Sequence, residues 1–580
     1  MLKLIKYLKP YIWLILILAL FTYLQVVANL KLPDYTAKIV NEGIILNNNS
    51  AIYINGALML LYTLAGAACA VIVGFLAARI ATSFSRDIRR EVFKKVESYS
   101  ITEFNKFSTA SLITRSTNDI QQIQMVLILV FRLVLMAPLM AIGALQNAIL
   151  NAPSMSWIIA LASILLVALI ATLFIFALPK FRLVQELIDE LNLVARENLT
   201  GLRVVRSFNN EKREEGKFEK TNQDLTKVNL FVNRLMVLLQ PAMTLILSIS
   251  VVAIVWFGAH LISTGAIQIG NMIAFMQYAI QVITSFLLIS IVFIMVPRAS
   301  VSGKRVAEII ATEPSVKDPP YPVKVNSNGR GKIEFKDVTF AYPGADLPIL
   351  TNINFTAEPG GTTAFIGSTG SGKTTLINLI PRFYDVTAGQ ILLDGIDIRD
   401  LKLTDLYAQI GYVPQKGVLF SGTVRSNIAY GNKNATSGDI ENSARIAQAT
   451  EFIQKLEGKF DGVISQGGSN VSGGQKQRLS IARALAVDPK VYIFDDSFSA
   501  LDFKTDANLR RDLFAVTRNK TVLIVGQRIS TIMNADKIVV LDEGKIVGQG
   551  THGELLKNNK IYREIAYSQL SDEELKSQKL

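Results

Sequence analysis

Residues Thr363–Ile380 read TAFIGSTGSGKTTLINLI, a glycine-rich segment between two apolar runs. The pattern GxxxxGK[ST] occupies Gly367–Thr374, after a predicted strand over Thr363–Ile366 and before a predicted helix over Thr375–Ile380. Such glycines let backbone N–H groups wrap around phosphate oxygens, and the N-terminus of the following helix adds positive potential. A chance glycine turn lacks this strand-and-helix context, so the stretch predicts a nucleotide-binding α/β domain.

This loop is expected to bind the phosphates of ATP and a Mg²⁺ ion. Lys373 should reach the β- and γ-phosphates, and the hydroxyl of Thr374 should ligate Mg²⁺. Asp495 ends the apolar run VYIF and is the expected second Mg²⁺ ligand, directly or through water. The residues expected to contact the nucleotide in this loop are Gly367, Ser368, Thr369, Gly370, Ser371, Gly372, Lys373, Thr374 and Thr375.

Long apolar runs fill the first half of the chain. The 580 residues are 50% hydrophobic, with a mean hydropathy of +0.33, which is high for a soluble protein. A helix needs ~20 mainly apolar residues to cross ~30 Å of hydrocarbon. We therefore predict six membrane spans, at about 11–32, 55–80, 126–148, 157–178, 238–263 and 270–297.

The distribution of basic residues gives the orientation of these spans. Lys and Arg are concentrated before the first span and in the long second and fourth connections, whereas Leu150–Ser156 and Ser263–Gly270 carry no charge. By the positive-inside rule, both termini and the ATP-binding part should be cytoplasmic. This orientation accounts for the formal net charge of +13, so no nucleic-acid partner is expected.

An intrachain disulfide is excluded, because Cys69 is the only cysteine.

The chain changes character after about residue 310. Residues 311–331 are rich in Pro, Asn, Gly and charged residues, which is typical of a linker. From residue 332 onward, short β-rich runs alternate with helical ones, which predicts an α/β domain. The predicted organisation is a transmembrane domain over 1–310, a linker over 311–331 and an ATP-binding domain over 332–580. The two long cytoplasmic connections keep helical periodicity, so the membrane helices should continue well into the cytoplasm.

Residues Val471–Arg478 read VSGGQKQR and lie between the phosphate loop and Asp495. This stretch resembles the signature of ATP-binding cassette (ABC) proteins, and the three motifs together resemble that family over the whole chain. A six-span domain followed by one cassette is similar to a type IV ABC exporter half-transporter. The resemblance implies a multidomain fold: a six-helix α transmembrane domain with long cytoplasmic helical extensions, followed by an α/β P-loop ABC nucleotide-binding domain.

Further positions match motifs of the family and take their expected roles from that resemblance. Tyr342 stands where an aromatic ring stacks on adenine, and Gln415 stands in the Q-loop, near Mg²⁺ and the attacking water. Ser499–Asp502 match the D-loop, which crosses the interface of a dimer. The segments near Glu103–Ser108 and Gly201–Phe208 match the intracellular coupling segments, and the second of these commonly docks on the partner's cassette.

The signature implies a second chain. A signature loop with its helix N-terminus can supply anion-binding donors to a γ-phosphate. In the family these donors reach the nucleotide of the opposite chain, so two ATP molecules lie between two cassettes. The residues implied to contact the partner's ATP are Ser472, Gly473, Gly474 and Gln475. The implied Mg²⁺ ligands are Thr374, Gln415 and Asp495.

Two positions depart from the family pattern, and both concern hydrolysis. The residue after the Mg²⁺-binding aspartate is usually Glu but is Asp496 here, and the switch residue is usually His but is Gln527 here. Asp is one methylene shorter than Glu, and a misplacement of ~1 Å can cost ~100-fold in rate. Gln cannot carry a positive charge or shuttle a proton as His can. A working Asp base remains the alternative, but two departures at one site favour a degenerate site that binds ATP and hydrolyses it slowly.

These features lead to a functional expectation with alternatives. The chain is expected to be one subunit of a heterodimeric multidrug exporter in a bacterial plasma membrane, paired with a different half-transporter that carries the Glu and the His. The main alternative is a homodimeric lipid or drug flippase with Asp496 as its catalytic base. An ATP-gated regulatory or channel-like protein and an importer are weaker alternatives.

The membrane spans give a weaker indication of the substrate. Uncharged polar residues and aromatic residues in the sixth span, such as Gln277, Gln281, Phe275 and Tyr278, suit hydrophobic or amphipathic small molecules. Hydrogen bonding between helices explains any single polar residue equally well. Arg132 in the third span is either a functional charge or a side chain that reaches back to the membrane boundary.

Overall fold

The structure is a computed structural model that describes residues 2–326 and 328–570, without the side chains of residues 2, 3, 174, 290–294, 296–298 and 503. Parts of three predicted regions therefore lie outside the described residues: residue 327 of the linker, residues 571–580 of the ATP-binding domain and several side chains late in the sixth span.

The chain divides into two compact units. The first contains the residues up to Glu97 with Ala110–Ala311, and the second contains Ser98–Thr109 with the residues from Thr312 onward.

Long helices build the first unit. The helices up to residue 311 are α1 (Ile12–Lys38), α2 (Asn49–Glu97), α3 (Ile101–Phe107), α4 (Thr109–Thr114), α5 (Ile120–Leu129), α6 (Met136–Asn151), α7 (Ser156–Thr200), α8 (Leu202–Ser207), α9 (Glu211–Ser263) and α10 (Ile269–Ala311). A 3-10 helix, Leu2–Tyr11, precedes α1, and π-helical turns at Ile39–Ile44, Arg115–Asp119 and Val130–Val134 follow α1, α4 and α5.

Six helical stretches among the described residues are long and apolar enough to cross a membrane: Leu4–Ile44, Asn49–Glu97, Thr109–Asn151, Pro153–Thr200, Glu211–Ser263 and Ile269–Ile289. Helix α2 alone has 49 residues. Its length is therefore about 73 Å, which is more than twice the ~30 Å of the hydrocarbon layer. The predicted six-helix α domain with long helical extensions is confirmed.

Close contacts join α1, α6 and α10 in the core of the first unit. A Cβ at Gly143 would collide with Cδ1 of Leu30, so glycine lets α6 approach α1 without moving that side chain. The hydroxyl of Tyr278 lies 2.9 Å from the carbonyl oxygen of Leu30 and 2.6 Å from Oδ1 of Asp34. Phe275 and Tyr278 are both fully buried in this core, so these two aromatic residues serve helix packing here.

The short helix α3 clusters with the second unit, although it lies between α2 and α4 in the sequence. Ser100 caps its N-terminus in a capping box with Glu103. The Oγ of Ser100 also lies 2.8 Å from the Oγ of Ser315, and Ile101 packs against the apolar core of the second unit. The first of the two segments that resemble coupling segments is thus part of the second unit.

Strands and short helices alternate in the second unit. Its strands are β1 (Ile333–Phe340), β2 (Leu350–Ala357), β3 (Thr362–Gly367), β4 (Ala388–Leu393), β5 (Ile396–Asp397), β6 (Ile410–Val413), β7 (Gly422–Thr423), β8 (Val463–Ile464), β9 (Val491–Asp495), β10 (Thr521–Val525), β11 (Lys537–Asp542) and β12 (Lys545–Gly550). Its helices after α3 are α11 (Lys373–Leu379), α12 (Leu403–Tyr407), α13 (Val424–Ile428), α14 (Ser437–Ile446), α15 (Thr450–Lys455), α16 (Gly473–Leu485), α17 (Phe503–Thr517), α18 (Ile529–Ile532), α19 (His552–Asn558) and α20 (Lys560–Gln569).

Over the described residues, the main sheet has six strands in the order β12-β11-β3-β10-β9-β6. The neighbours from β11 to β6 are parallel, and β12 is antiparallel to β11. A separate antiparallel sheet has the order β2-β1-β4-β5. Ligands of such parallel sheets bind outside the carboxyl ends of the strands, and here the residues that follow β3, β10, β9 and β6 lie side by side. The predicted α/β domain is confirmed.

The C-terminal helix α20 packs on the main sheet through Tyr562. This residue is fully buried among Ile529, Ile532 and Ala566, and its hydroxyl lies 2.6 Å from Nδ1 of His552.

We predict that Tyr562→Ala lowers the free energy of unfolding by about 3–5 kcal/mol, because a cavity replaces the aromatic ring. Thermal unfolding of the purified full-length protein in detergent measures the change. Tyr562→Phe is the matched control and should cost only about 1 kcal/mol, since it keeps the ring and loses one hydrogen bond. Equal losses in the two variants would contradict the assignment of this stability to ring packing.

Candidate nucleotide-binding site

Two left-handed glycines shape the loop between β3 and α11. Gly370 and Gly372 have φ angles of +85° and +95°, which residues with a side chain rarely adopt. Gly372 immediately precedes α11, and its carbonyl accepts the N–H of Leu376 at 2.8 Å. The chain therefore turns directly from the loop into a helix that begins at Lys373. The predicted start of this helix at Thr375 was wrong by two residues, because the glycine makes the turn earlier.

Lys373 points back over the loop from the first turn of α11. Its Nζ donates to the carbonyl oxygens of Gly367 at 2.9 Å and Ser368 at 2.7 Å, and to Oγ of Ser371 at 3.3 Å. Burial lowers the pKa of Lys373, while the two neighbouring carboxylates act in the opposite direction. The ammonium group lies among oxygen acceptors, and phosphate oxygens are acceptors of the same kind.

Asp495 and Thr374 form a buried pair of oxygen ligands. The hydroxyl of Thr374 donates to Oδ1 of Asp495 at 3.0 Å, and Asp495 is only 2% exposed. Burial raises the pKa of Asp495, and the hydrogen bond from Thr374 opposes this shift. Such oxygen ligands fit Mg²⁺, which would neutralise charge on the phosphates when bound. Among the described residues there is no cluster of three or more His, Cys, Asp or Glu side chains that could hold a metal ion.

One carboxylate oxygen of Asp496 accepts hydrogen bonds from two side-chain amides. Its Oδ2 accepts from Nε2 of Gln527 at 2.9 Å and from Nε2 of Gln415 at 3.3 Å. Its φ angle of +45° is uncommon for a residue other than glycine. Burial raises the pKa of Asp496, and the hydrogen bond from Gln415 opposes this shift. The structure thus brings together the three residues singled out in the sequence for the hydrolytic position.

A cavity of about 310 Å³ opens over the loop. Its lining, among the described residues, comprises Tyr342, Ile349, Thr369, Gly370, Gly372, Lys373, Thr374, Thr375, Gln415 and Gln527. The hydroxyl of Tyr342 lies 2.9 Å from Oγ1 of Thr375, and its ring meets Phe340 and Tyr384 edge-on. An aromatic ring held in this way at a cavity wall suits contact with a flat base.

The signature residues form the capped N-terminus of α16. The N–H of Gln475 donates to Oγ of Ser472 at 3.3 Å, and the N–H of Ser472 donates to Oε1 of Gln475 at 2.9 Å. Ser472 and Gly473 are exposed, and none of Ser472, Gly473, Gly474 and Gln475 is among the described residues that line the cavity over this chain's own loop. A helix N-terminus of this kind can bind an anion that comes from outside the chain.

Two residues of the site carry little signal in the sequence. Ile349 lines the cavity from the loop before β2, and nothing in the surrounding residues Leu347–Leu350, which read LPIL, predicts a contact with a nucleotide. Gln477 in α16 donates from Nε2 to the carbonyl oxygen of Pro414 at 3.1 Å, and so it ties the signature helix to the residue before Gln415. Its place within Val471–Arg478, the stretch that resembles the signature, is the one hint that the sequence offers.

Comparison with known proteins places the chain in a family. Residues 15–286 match the ABC transporter transmembrane region, and residues 350–499 match the ABC transporter family. An uncharacterized ABC transporter ATP-binding protein of Mycobacterium tuberculosis is 40% identical over 97% of this chain and 97% of its own length. The chain belongs to the ABC transporter family.

Other relatives of this ABC transporter extend the comparison. The uncharacterized ABC transporter ATP-binding protein YfiB of Bacillus subtilis is 35% identical over 98% of this chain and 99% of its own length. An ATP-dependent lipid A-core flippase of Syntrophus aciditrophicus is 33% identical over 90% of this chain and 86% of its own length. The solved structure of a bacterial Atm1-family ABC exporter with ATP bound has the same fold, with a TM-score of 0.81, 24% identity and coverage of 97% of this chain and 99% of that chain.

As an ABC transporter, the chain couples an ATPase to transport across a membrane. One six-span domain fused to one ATP-binding domain makes it a half-transporter with the type IV exporter fold. Its functional unit is therefore a dimer, with another half-transporter or with itself, and its ATP-binding domain is cytoplasmic.

We predict that Lys373→Met weakens ATP binding by about 10- to 100-fold, because a charge-assisted hydrogen-bond donor is lost from the phosphate loop. Equilibrium binding of Mg-ATP to the purified full-length ABC transporter measures the effect. Lys455→Met is the control, since Lys455 is exposed and pairs with Glu451 on the surface of α15. Equal affinities in Lys373→Met and the unmodified protein would show that the loop does not bind the phosphates as expected.

Proposed function

We propose that the chain is one subunit of a heterodimeric multidrug exporter in a bacterial plasma membrane. It binds Mg-ATP at its own loop, where it hydrolyses ATP slowly, and it completes the faster site of a different half-transporter with Ser472–Gln475. In this assignment Tyr342 stacks on adenine, Lys373 and the loop backbone bind the phosphates, and Thr374 and Asp495 hold Mg²⁺, with Gln415 beside them.

The arrangement around Asp496 carries the proposal of a slow site. A general base must come within hydrogen-bond reach of the attacking water. Asp496 has a shorter side chain than the Glu usual in the family, and its Oδ2 already accepts the amides of Gln527 and Gln415. One of the two oxygens that could approach the water is therefore engaged, and a shortfall of ~1 Å corresponds to a loss of ~100-fold in rate.

The side chain of Gln527 supports the same proposal. It lines the cavity over the phosphate loop, so it can donate a hydrogen bond to a γ-phosphate. Unlike a protonated His, it adds no positive charge to stabilise the transition state and takes up no proton. In this proposal Gln527 keeps a contact that favours ATP binding but lacks the positive charge and the proton transfer that would accelerate hydrolysis.

The second coupling segment supports a role for a partner chain. In and beside α8, the side chains of Leu199, Val204 and Phe208 are 75%, 61% and 73% exposed. The position of this segment between the long helices α7 and α9 is that of a cytoplasmic tip. We assign it to docking on the partner's ATP-binding domain, and we assign the interior of the membrane domain to hydrophobic or amphipathic substrates.

A homodimeric lipid or drug flippase is the second candidate. It is favoured by the relatives named ATP-dependent lipid A-core flippase, one of which is 33% identical to this chain. It requires Asp496 to act as the catalytic base, and the raised pKa that burial gives this carboxyl would make it a stronger base than an ordinary aspartate.

We predict that the purified full-length chain alone has little ATPase activity, and that co-expression with a half-transporter that carries the Glu and the His produces brisk activity. The physical reason is that the slow site lacks an available base, whereas the partner's site receives this chain's signature. Steady-state phosphate release in nanodiscs measures both preparations. Brisk hydrolysis by the chain alone would instead support the homodimeric flippase.

We predict that Asp496→Asn in the assembled complex lowers ATPase activity by less than about threefold, since the partner's site performs most of the turnover. Steady-state ATPase assays compare it with the complex in which the partner's catalytic Glu is changed to Gln, where activity should collapse. The combined change Asp496→Glu and Gln527→His should raise hydrolysis at this chain's own site. A loss of ~100-fold or more in Asp496→Asn would identify Asp496 as the working base.

A further inference from the structure

The switch segment, Gln527–Ser530, has main-chain contacts to two helices that are distant in the sequence. It follows β10 and contains the start of α18, a helix of four residues without a side-chain cap. The first N–H groups of a helix have no partner within the helix and must find one elsewhere. Here the partner of the first of them, the N–H of Ile529, is a side chain from α20.

Gln569, the last residue of α20, binds the switch segment with both ends of its amide. Its Nε2 donates to the carbonyl oxygen of Gln527 at 2.9 Å, and its Oε1 accepts from the N–H of Ile529 at 2.8 Å. One side chain therefore fixes the main chain on both sides of Arg528. The amide matches this pair of contacts because it offers one donor and one acceptor side by side.

Helix α20 is itself held close to the switch segment. Tyr562 and Ala566 of α20 share a buried core with Ile529 and Ile532 of α18. Gln569 itself is exposed, so its two hydrogen bonds are made at the surface edge of this core. Its removal would take away polar contacts and leave the apolar packing in place.

Arg510 provides a second main-chain contact from α17. Its Nη1 donates to the carbonyl oxygen of Ser530 at 2.5 Å, and its Nη2 donates to Oδ2 of Asp506 at 2.7 Å. Helix α17 begins directly after Asp502, the last residue of the segment that resembles the D-loop. The switch segment is thus held from the C-terminal helix on one side and from the helix after the D-loop on the other.

These contacts fix the place from which the side chain of Gln527 reaches Asp496 at 2.9 Å and lines the cavity. We infer that Gln569 is a positioning residue for the nucleotide site: its amide holds the main chain of the switch segment so that Gln527 faces the γ-phosphate of ATP. This inference rests on the proposed role of Gln527 in ATP binding. It assigns to the C-terminal helix a direct effect on the nucleotide site.

Equilibrium binding of Mg-ATP to the full-length protein, in the assembly in which it purifies, tests this inference. Gln569→Ala should raise the dissociation constant about three- to tenfold, because two hydrogen bonds that place Gln527 are lost. Gln569→Glu should raise the dissociation constant at least as much. The carboxylate keeps an acceptor for the N–H of Ile529, but its second oxygen faces the carbonyl oxygen of Gln527 and cannot donate to it. Gln549→Ala is the matched control, because it also removes a hydrogen bond from a glutamine amide to a main-chain carbonyl: Nε2 of Gln549 donates to the carbonyl oxygen of Asn354 at 2.8 Å. The affinity of the Gln549→Ala protein for ATP should not change.

A double-mutant cycle with Gln527→Ala separates positioning from a general loss of stability. If Gln569 acts through Gln527, Gln569→Ala should have no further effect on ATP affinity in the Gln527→Ala background. An equal effect in both backgrounds would overturn the inference, and so would an unchanged affinity in Gln569→Ala. An unchanged affinity in Gln527→Ala would overturn the proposed role of Gln527 itself. Melting temperatures of all variants show whether any of them is poorly folded.

Discussion

Parallel pairing of β3, β10, β9 and β6 is the constraint on which the candidate site depends. Val525 of β10 pairs with Asp495 of β9 and with Phe365 of β3, so the ends of β10 and β9 stand level and β3 continues for two residues beyond them. Since side chains alternate along a strand, a slip of one residue would turn Asp495 to the other face of the sheet. The complete burial of β9 makes such a slip costly, because it would move the apolar side chains as well. The register of the sheet therefore sets the distance between the phosphate loop and the carboxylates.

Burial at this edge makes the charged groups depend on one another. It lowers the pKa of Lys373 and raises those of Asp495 and Asp496, so at each of the three groups burial disfavours the charged form. The positive charge of Lys373 opposes the pKa shifts of the two carboxylates, and their negative charges oppose the pKa shift of Lys373. The hydrogen bonds from Thr374 to Asp495 and from Gln415 to Asp496 stabilise the carboxylate forms. In their charged forms these three groups carry one positive and two negative charges, and Mg²⁺ and ATP entering this site would add one cation and one anion to the set.

The fold was predictable from the sequence because its signals are local. Apolar runs long enough to span a membrane, and a phosphate-loop pattern between a strand and a helix, each specify their own element, and both predictions are confirmed. The residues that the candidate site brings together were predictable where a residue follows a strand or stands in a motif. The role of Gln569 was not, because a glutamine on a surface helix carries no pattern and its partner Gln527 is 42 positions away. Phe275 and Tyr278 show the opposite difficulty: aromatic residues in a span are typical both of substrate cavities and of helix packing, and burial decides between these roles.

The proposed loss of hydrolysis without a loss of binding has a simple physical basis. ATP binding would draw on many contacts, from the ring of Tyr342 to the backbone of the phosphate loop, and neither Asp496 nor Gln527 would supply most of them. Hydrolysis depends on one base within reach of one water molecule, so in this proposal a missing methylene at Asp496 and a missing charge at Gln527 would be sufficient to slow it. The two hydrogen bonds between Gln569 and the switch segment are consistent with ATP binding without fast hydrolysis, because they would hold Gln527 as a fixed donor to bound ATP. A site that retains ATP in this way would keep two chains together while the signature of this chain serves the faster site of its partner.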